Sequence, residues 1–202
     1  MQSAINELLG IEFPLVAFTH CRDVVVEVSK AGGMGVLGAT AMTAEQLEIE
    51  LAWIDDHIEG KPYGVDLIVP TAFESKGESI RNEEMVSRIP DEHRDFVRNL
   101  LDEYGIDPSI LTDSSRTSGT RFTNNIREDG AAALLDVAFS HPIKLIANAL
   151  GTPPKYMLER SKALGIPVAA LIGTKEQAIK QVEAGVDILV AAGGEAGGHC
   201  GD

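Results

Sequence analysis

Two short runs and two single polar residues carry the side chains able to do chemistry. The first is GGEAGGHCG, residues 193–201, placed directly after the apolar run Ile188 to Ala192. Glycines on both sides of a Glu and an Ala let a backbone fold tightly against a ligand and aim several N–H groups at it, which makes an anion cradle. A plain strand-to-helix turn explains the glycines equally well, but it needs neither Glu195 nor His199. The second run is Thr19, His20, Cys21 and Arg22. An imidazole here can transfer a proton or hold a substrate oxygen. The Arg22 guanidinium can bind a nitro, carboxylate or phosphate group through two parallel bonds, or pair with Asp66. Nothing beside Cys21 in the sequence activates its thiol. The third group is Asp66 and Asn148, single polar residues within or after apolar runs. His57, His93 and His141 fall in helices or turns and take no catalytic role. Neither a His-Glu-x-x-His run nor a Cys/His pairing at ligand spacing is present, so no metal is expected.

These residues need elements to hold them, and the chain reads as strands and helices in alternation. Short apolar runs at Leu15–Phe18, Met34–Leu37, Tyr63–Val69, Ile143–Ala147, Val168–Ile172 and from Ile188 predict about six strands. Their near-continuous hydrophobicity is that of parallel strands covered on both faces. Between them, Val24, Val25, Val28 and Ala31 form one helical face that Gly32 is placed to cap. Thr43 and Gln46 form a capping box ahead of Leu47, Leu51, Ile54 and Ile58, and Thr174 with Gln177 forms another. A helix spans roughly Glu128 to Phe139. Thr152 is expected to cap the next, with Met157, Leu158 and Leu164 inward and Gly165 at its end. Gly165 and Gly185 stand one strand-helix period apart. Such units close into an eight-stranded barrel or spread into a doubly wound sheet; both place ligands at the C-terminal strand ends.

The stretch from Pro70 to about Thr123 breaks this rhythm. It is polar, with one helix whose Phe96, Val97, Leu100, Leu101 and Tyr104 share a face, and it is read as an insertion on the ligand side. With 202 residues, 44% hydrophobic and 24% charged, the chain is long enough for one sizeable core. Its 17 basic against 31 acidic residues give a net charge of −14. Nucleic acid and anionic membrane surfaces are therefore poor partners. Two cysteines make no disulfide framework, and the start MQSAINELLG lacks a signal peptide's basic and apolar regions, so a cytoplasmic location is expected.

The run AGGMGVLGA from Ala31, the strand YGVDLIVP from Tyr63, the turn ALGTPPKYM from Ala149 and the loop GGEAGGHCG together resemble the nitronate monooxygenase family, formerly 2-nitropropane dioxygenases. Flavin-dependent enoyl-acyl-carrier-protein reductases share much of this pattern. The resemblance covers nearly the whole chain outside the insertion. It implies an α/β fold of the (β/α)8 TIM-barrel type and FMN as cofactor. It also implies that Glu195, Ala196, Gly197 and Gly198 lie against the flavin phosphate. Ala17, Phe18, Asp66 and Asn148 are the other implied flavin contacts, His20 and His199 the catalytic candidates and Arg22 the substrate contact.

Where this sequence departs from the family, chemistry changes. Ala147-Asn148-Ala149-Leu150-Gly151 stands where the best-known class has Ser-Phe-His-Phe-Gly, so Ala149 replaces the His that acts as base. Asp66 replaces an Asn, and Ala192 a Gln. Oxidation of nitronates or nitroalkanes by oxygen is the expected activity; a nitronate, already deprotonated, needs no such base. Reduction of an enoyl thioester by a nicotinamide cofactor is the alternative, and an inactive barrel fragment with a binding role the second alternative. A complete barrel takes about 250 residues. The chain is accordingly expected to be a single N-terminal portion, residues 1–202, with about six of eight strand-helix units, completed by a C-terminal half or a second copy.

Overall fold

The computed structural model describes residues 3–69, 89–111 and 128–196. In chain order the elements are α1 (Ala4–Leu9), β1 (Val16–Thr19), α2 (Arg22–Lys30), β2 (Met34–Gly38), α3 (Ala44–His57), β3 (Tyr63–Leu67) and α4 (Asp91–Glu103). A 3-10 turn, Pro108–Leu111, follows, then α5 (Glu128–Ser140), β4 (Leu145–Asn148), α6 (Lys155–Leu164), β5 (Val168–Ile172), α7 (Lys175–Ala184) and β6 (Ile188–Ala191). All six strands are parallel, and their order in the sheet is their order in the chain. A doubly wound sheet reverses its order part-way; a singly wound one sends every crossover to the same side and curls toward a barrel. The fold is thus an incomplete (β/α)8 barrel.

Register assigns each strand residue to a face. Leu37, Tyr63, Val65, Leu67, Ile146 and Val168 join the helical side chains of the outer layer in one buried cluster. Met34, Val36, Leu145, Ala147 and Ala169 line the concave inner face with Leu9 and Ile11 from the chain's start. Helix α1, which the sequence analysis did not anticipate, holds those two residues in place. Asn6 accepts the Ser3 N–H at 2.9 Å and donates to the Ile11 carbonyl at 3.1 Å, and Gly10 ends the helix at φ 68°. Ser3 and Gly10 are ordinary helix punctuation and were the available signal.

Helix α3 follows its sequence pattern. Leu47, Leu51, Ile54 and Ile58 are buried, each contributing about 2 kcal/mol by leaving water. Thr43 Oγ1 accepts the Gln46 N–H at 3.1 Å, and Gln46 Oε1 accepts the Thr43 N–H at 3.0 Å. Helix α2 corrects its pattern. It buries Val25, Val26 and Ser29, while Val24 is exposed and Ala31 lies at the end. The reason is close approach to β2: a methyl on Gly35 would lie 2.4 Å from Val25 Cα. Ser29 turns inward because its Oγ accepts the Gly35 N–H at 3.0 Å. The helix closes with the Gly33 N–H on Val28 O and Gly32 at φ 97°.

Three further expectations shift. Helix α6 is capped by Pro154 rather than Thr152, because a residue preceding proline is pushed out of helical conformation. Leu164 is exposed rather than inward. Helix α4 presents the expected apolar face, yet none of its residues is buried and Phe96 is 66% exposed. The expected placement of 70–123 over the ligand side falls largely on residues outside the described ones.

Candidate active site

Parallel strands bring all their C-terminal ends to one rim, opposite the end that Leu9 and Ile11 fill. Near that rim, β2 places Gly38 beside Asp66 of β3, and Asp66 lies beside Ala147 of β4, which lies beside Ala169 of β5. Asp66 is therefore the one polar residue in a row of glycine and alanines on the inner face. It is 7% exposed, and its Oδ1 is buried without a hydrogen-bond partner. Burial pushes its carboxyl from the ordinary 3.8 up to about 7.

His20 reaches the same place from β1. Its Nδ1 lies 2.9 Å from the Gly38 carbonyl oxygen, and its ring meets Phe18 edge-on at 5.0 Å. A carbonyl oxygen only accepts, so Nδ1 carries the proton, and in the neutral ring Nε2 holds the free lone pair. Both rings lie over Gly38: a methyl there would stand 2.5 Å from Phe18 Cζ and 2.7 Å from His20 Cε1. Gly38 is the functional position that sequence reasoning missed. It sat within the motif from Ala31, but only register reveals that it separates His20 from Asp66.

The other candidates are placed as follows. Ala17 is paired with Gly35, on the helix side of the sheet, so its side chain points away from the inner face while that of Phe18 points into it. Asn148 is fully buried and also turned to the helix side. Its Oδ1 accepts the Val69 N–H at 2.8 Å, and its Nδ2 donates to the carbonyls of Leu150 and Gly151 at 3.0 and 3.1 Å. Its side chain thus joins the loops after β3 and β4 and acts on the rim by positioning them. Arg22 does not pair with Asp66. It lies 3.5 Å from Glu50 with its guanidinium 4.4 Å from the Trp53 ring centre, turned toward α3. The geometry gives no support to a substrate contact by Arg22. Cys21 is a free, exposed thiol 3.6 Å from Asp23 Oδ2.

The terminal loop begins as a turn in which the Ala196 N–H meets the Gly193 carbonyl at 2.9 Å, with Glu195 exposed. Gly197, Gly198 and His199 lie outside the described residues. Among the described residues no group of three or more His, Cys, Asp or Glu gathers as a metal site. Nor is any described helix long and apolar enough to cross a membrane.

With this geometry established, comparison with known proteins is informative. The family model for nitronate monooxygenase matches residues 2–202. The chain belongs to the nitronate monooxygenase family. A Mycobacterium tuberculosis protein named as a monooxygenase is 48% identical over 203 residues, covering 100% of this chain and 53% of that protein. A Staphylococcus haemolyticus protein named as a nitronate monooxygenase is 25% identical, covering 98% of this chain and 50% of the relative. The chain spans about half the length of the curated relatives it matches. Among solved structures, nitroalkane oxidase from Streptomyces ansochromogenes superposes with a TM-score of 0.67 at 23% identity, over 98% of this chain and 51% of that one. FabK from Thermotoga maritima superposes at 0.64 with 20% identity, over 100% and 47%. Both likenesses support the barrel fold of this nitronate monooxygenase family member.

Proposed function

We propose that this chain forms part of an FMN-dependent oxidoreductase that oxidises nitronates with oxygen. The observation that carries the reading is the Gly38 gap at the rim of a family-member barrel, with the aromatic ring of Phe18 on one side and the orphaned Asp66 carboxyl on the other. The rings of Phe18 and His20 cover the place a Cβ at Gly38 would take, and Leu171 and Val190 add exposed apolar surface on β5 and β6 of the same sheet; a rim of this kind suits a flat, largely apolar ring. The residues present therefore fit a flavin. Phe18 would hold its ring, the loop from Glu195 through Gly198 its phosphate, and Asn148 would hold the rim in shape. When bound, FMN accepts electrons from an anionic carbon and delivers them to oxygen.

The chain's own groups prepare that chemistry. His20, its Nδ1 proton fixed on the Gly38 carbonyl, presents Nε2 as the acceptor for a substrate proton. The inner face between Gly38 and Ala147 excludes water from the Asp66 carboxyl. His199, by the family resemblance, is the second candidate for proton handling.

The test is oxygen consumption by the flavin-loaded protein with propyl nitronate, against flavin reduction by NADH without it. Oxygen uptake that depends on the nitronate, together with flavin absorption in the purified protein, is the expected result. Rapid NADH-driven flavin reduction with no nitronate-dependent uptake would instead assign reductase chemistry. His20→Ala should lower turnover of neutral nitropropane at least tenfold more than turnover of its nitronate, because only the first requires a base.

A further inference from the structure

Asp66 is a buried carboxyl that the proposed chemistry leaves without a role. Its register partners, Gly38 and Ala147, carry no polar side chain. The titratable group facing it across Gly38 is His20, whose ring covers the gap. Among the described residues no cation pairs with Asp66, and its Oδ1 has no donor. An orphaned oxygen in such a place costs free energy unless the group has a use. Between Gly38 and Ala147, whose backbones stand two strand spacings or roughly 10 Å apart, the small side chains leave Asp66 in a slot that the rings of Phe18 and His20 cover.

We propose that Asp66, as the neutral carboxylic acid, is the hydrogen-bond donor that receives one oxygen of a small planar oxyanion, with His20 and Phe18 as the cover of the slot. The ligand class is a nitronate or a carboxylate of like size. A protonated carboxyl donates to such an anion, whereas an ionised one repels it, so the anion binds one protonation state of the site. The raised pKa set by burial keeps a large fraction of that state present near neutral pH. Phe18 and His20 are both exposed on their outer sides, and His20 is held over Gly38 by its hydrogen bond to the Gly38 carbonyl. The proposal rests on the reading above only in taking a nitronate as the natural ligand.

The test uses propionate, an oxyanion isosteric with nitroethane, and carboxyl-carbon NMR of the full chain labelled at aspartate, with the Asp66 signal assigned by its loss in Asp66→Asn. The expected result is a signal that titrates near neutrality and whose midpoint rises by one pH unit or more at saturating propionate, since anion binding and protonation are linked. Asp66→Asn, whose amide donates at every pH, should bind propionate with little pH dependence, and Asp66→Leu should bind it at least tenfold more weakly. His20→Gln should keep the pH dependence. An Asp66 signal in the ordinary carboxylate range overturns the proposal, as does a midpoint that propionate leaves unmoved or a pH dependence that vanishes in His20→Gln. Absorption spectra of the same samples keep the two readings apart. Protein without flavin that still shows the propionate-linked shift would sink the flavin reading alone.

Discussion

At Gly38 the absence of a side chain does the positioning. Phe18 and His20 lie where a methyl would sit, so Gly38→Ala must displace both rings and disturb the 2.9 Å contact from His20 to the Gly38 carbonyl. Both rings are exposed and able to move, so the expected stability loss is only about 1 kcal/mol, at the low end for added bulk. The functional loss should be larger. A urea unfolding curve close to that of the natural protein, combined with a changed His20 ring signal by NMR and at least tenfold lower turnover, is the expected outcome. Large destabilisation would show that Gly38 is needed for the fold itself. At this scale the sequence was half legible. His20 and Asp66 stood out because each is a polar residue beside an apolar run. Their relation through Gly38, and the full engagement of Asn148 by Val69, Leu150 and Gly151, depend on strand register across distant segments, which no local pattern encodes.

Elements were legible where their signals are local. Thr43 with Gln46, Thr174 with Gln177, Gly165 and Gly185 all act within one helical turn, and each sits where its chemistry predicts. The face of α2 was misread because a tertiary contact, Gly35 against Val25, decides it. A second tertiary arrangement escaped the sequence altogether. His141, just after α5, places Nδ1 2.7 Å from Asp55 Oδ2 and Nε2 3.2 Å from Glu48 Oε2, both on α3, and Tyr63 of β3 donates to Asp55 at 2.6 Å. Burial alone would lower the His141 pKa, but the hydrogen bonds to Asp55 and Glu48 outweigh it and raise it. A histidine with a raised folded-state pKa stabilises fully below its unfolded value of 6.5, and that stabilisation is lost as pH climbs through the raised value. His141→Gln should therefore cost most near about pH 6, on the order of 1 kcal/mol for a cluster that solvent still reaches through Glu48, and progressively less toward about pH 9. Urea midpoints of the two proteins across that range check this, and a gap that widens with pH would contradict it.

At the scale of the whole molecule, strand-helix units count to about six, and six parallel strands are present among the described residues, but counting does not choose between a barrel and an open sheet. Spatial order, each strand beside its sequence neighbour, makes that choice, and it agrees with the barrel that the family resemblance implies. Family membership agrees with it, while the chain covers about half the length of its relatives.

Neighbouring strands are mostly close in sequence: the Val168 N–H meets the Asp187 carboxylate 19 positions on. Between β3 and β4 the chain makes its long excursion, and the Val69 N–H meets Asn148 79 positions on. Closing the longer loop costs about 1.3 kcal/mol more by its length alone. The seam beside Asp66 should thus be the last to zip on folding and the first to part in the native state. Native-state hydrogen exchange should show the Ala149 amide, bonded to Leu67, opening at lower free energy than the Ala192 amide, bonded to Ile172. The reverse order would place the weak seam elsewhere. If it holds, the chemical groups of this barrel lie along its latest-forming joint, and the excursion after β3 sets the timing of their assembly.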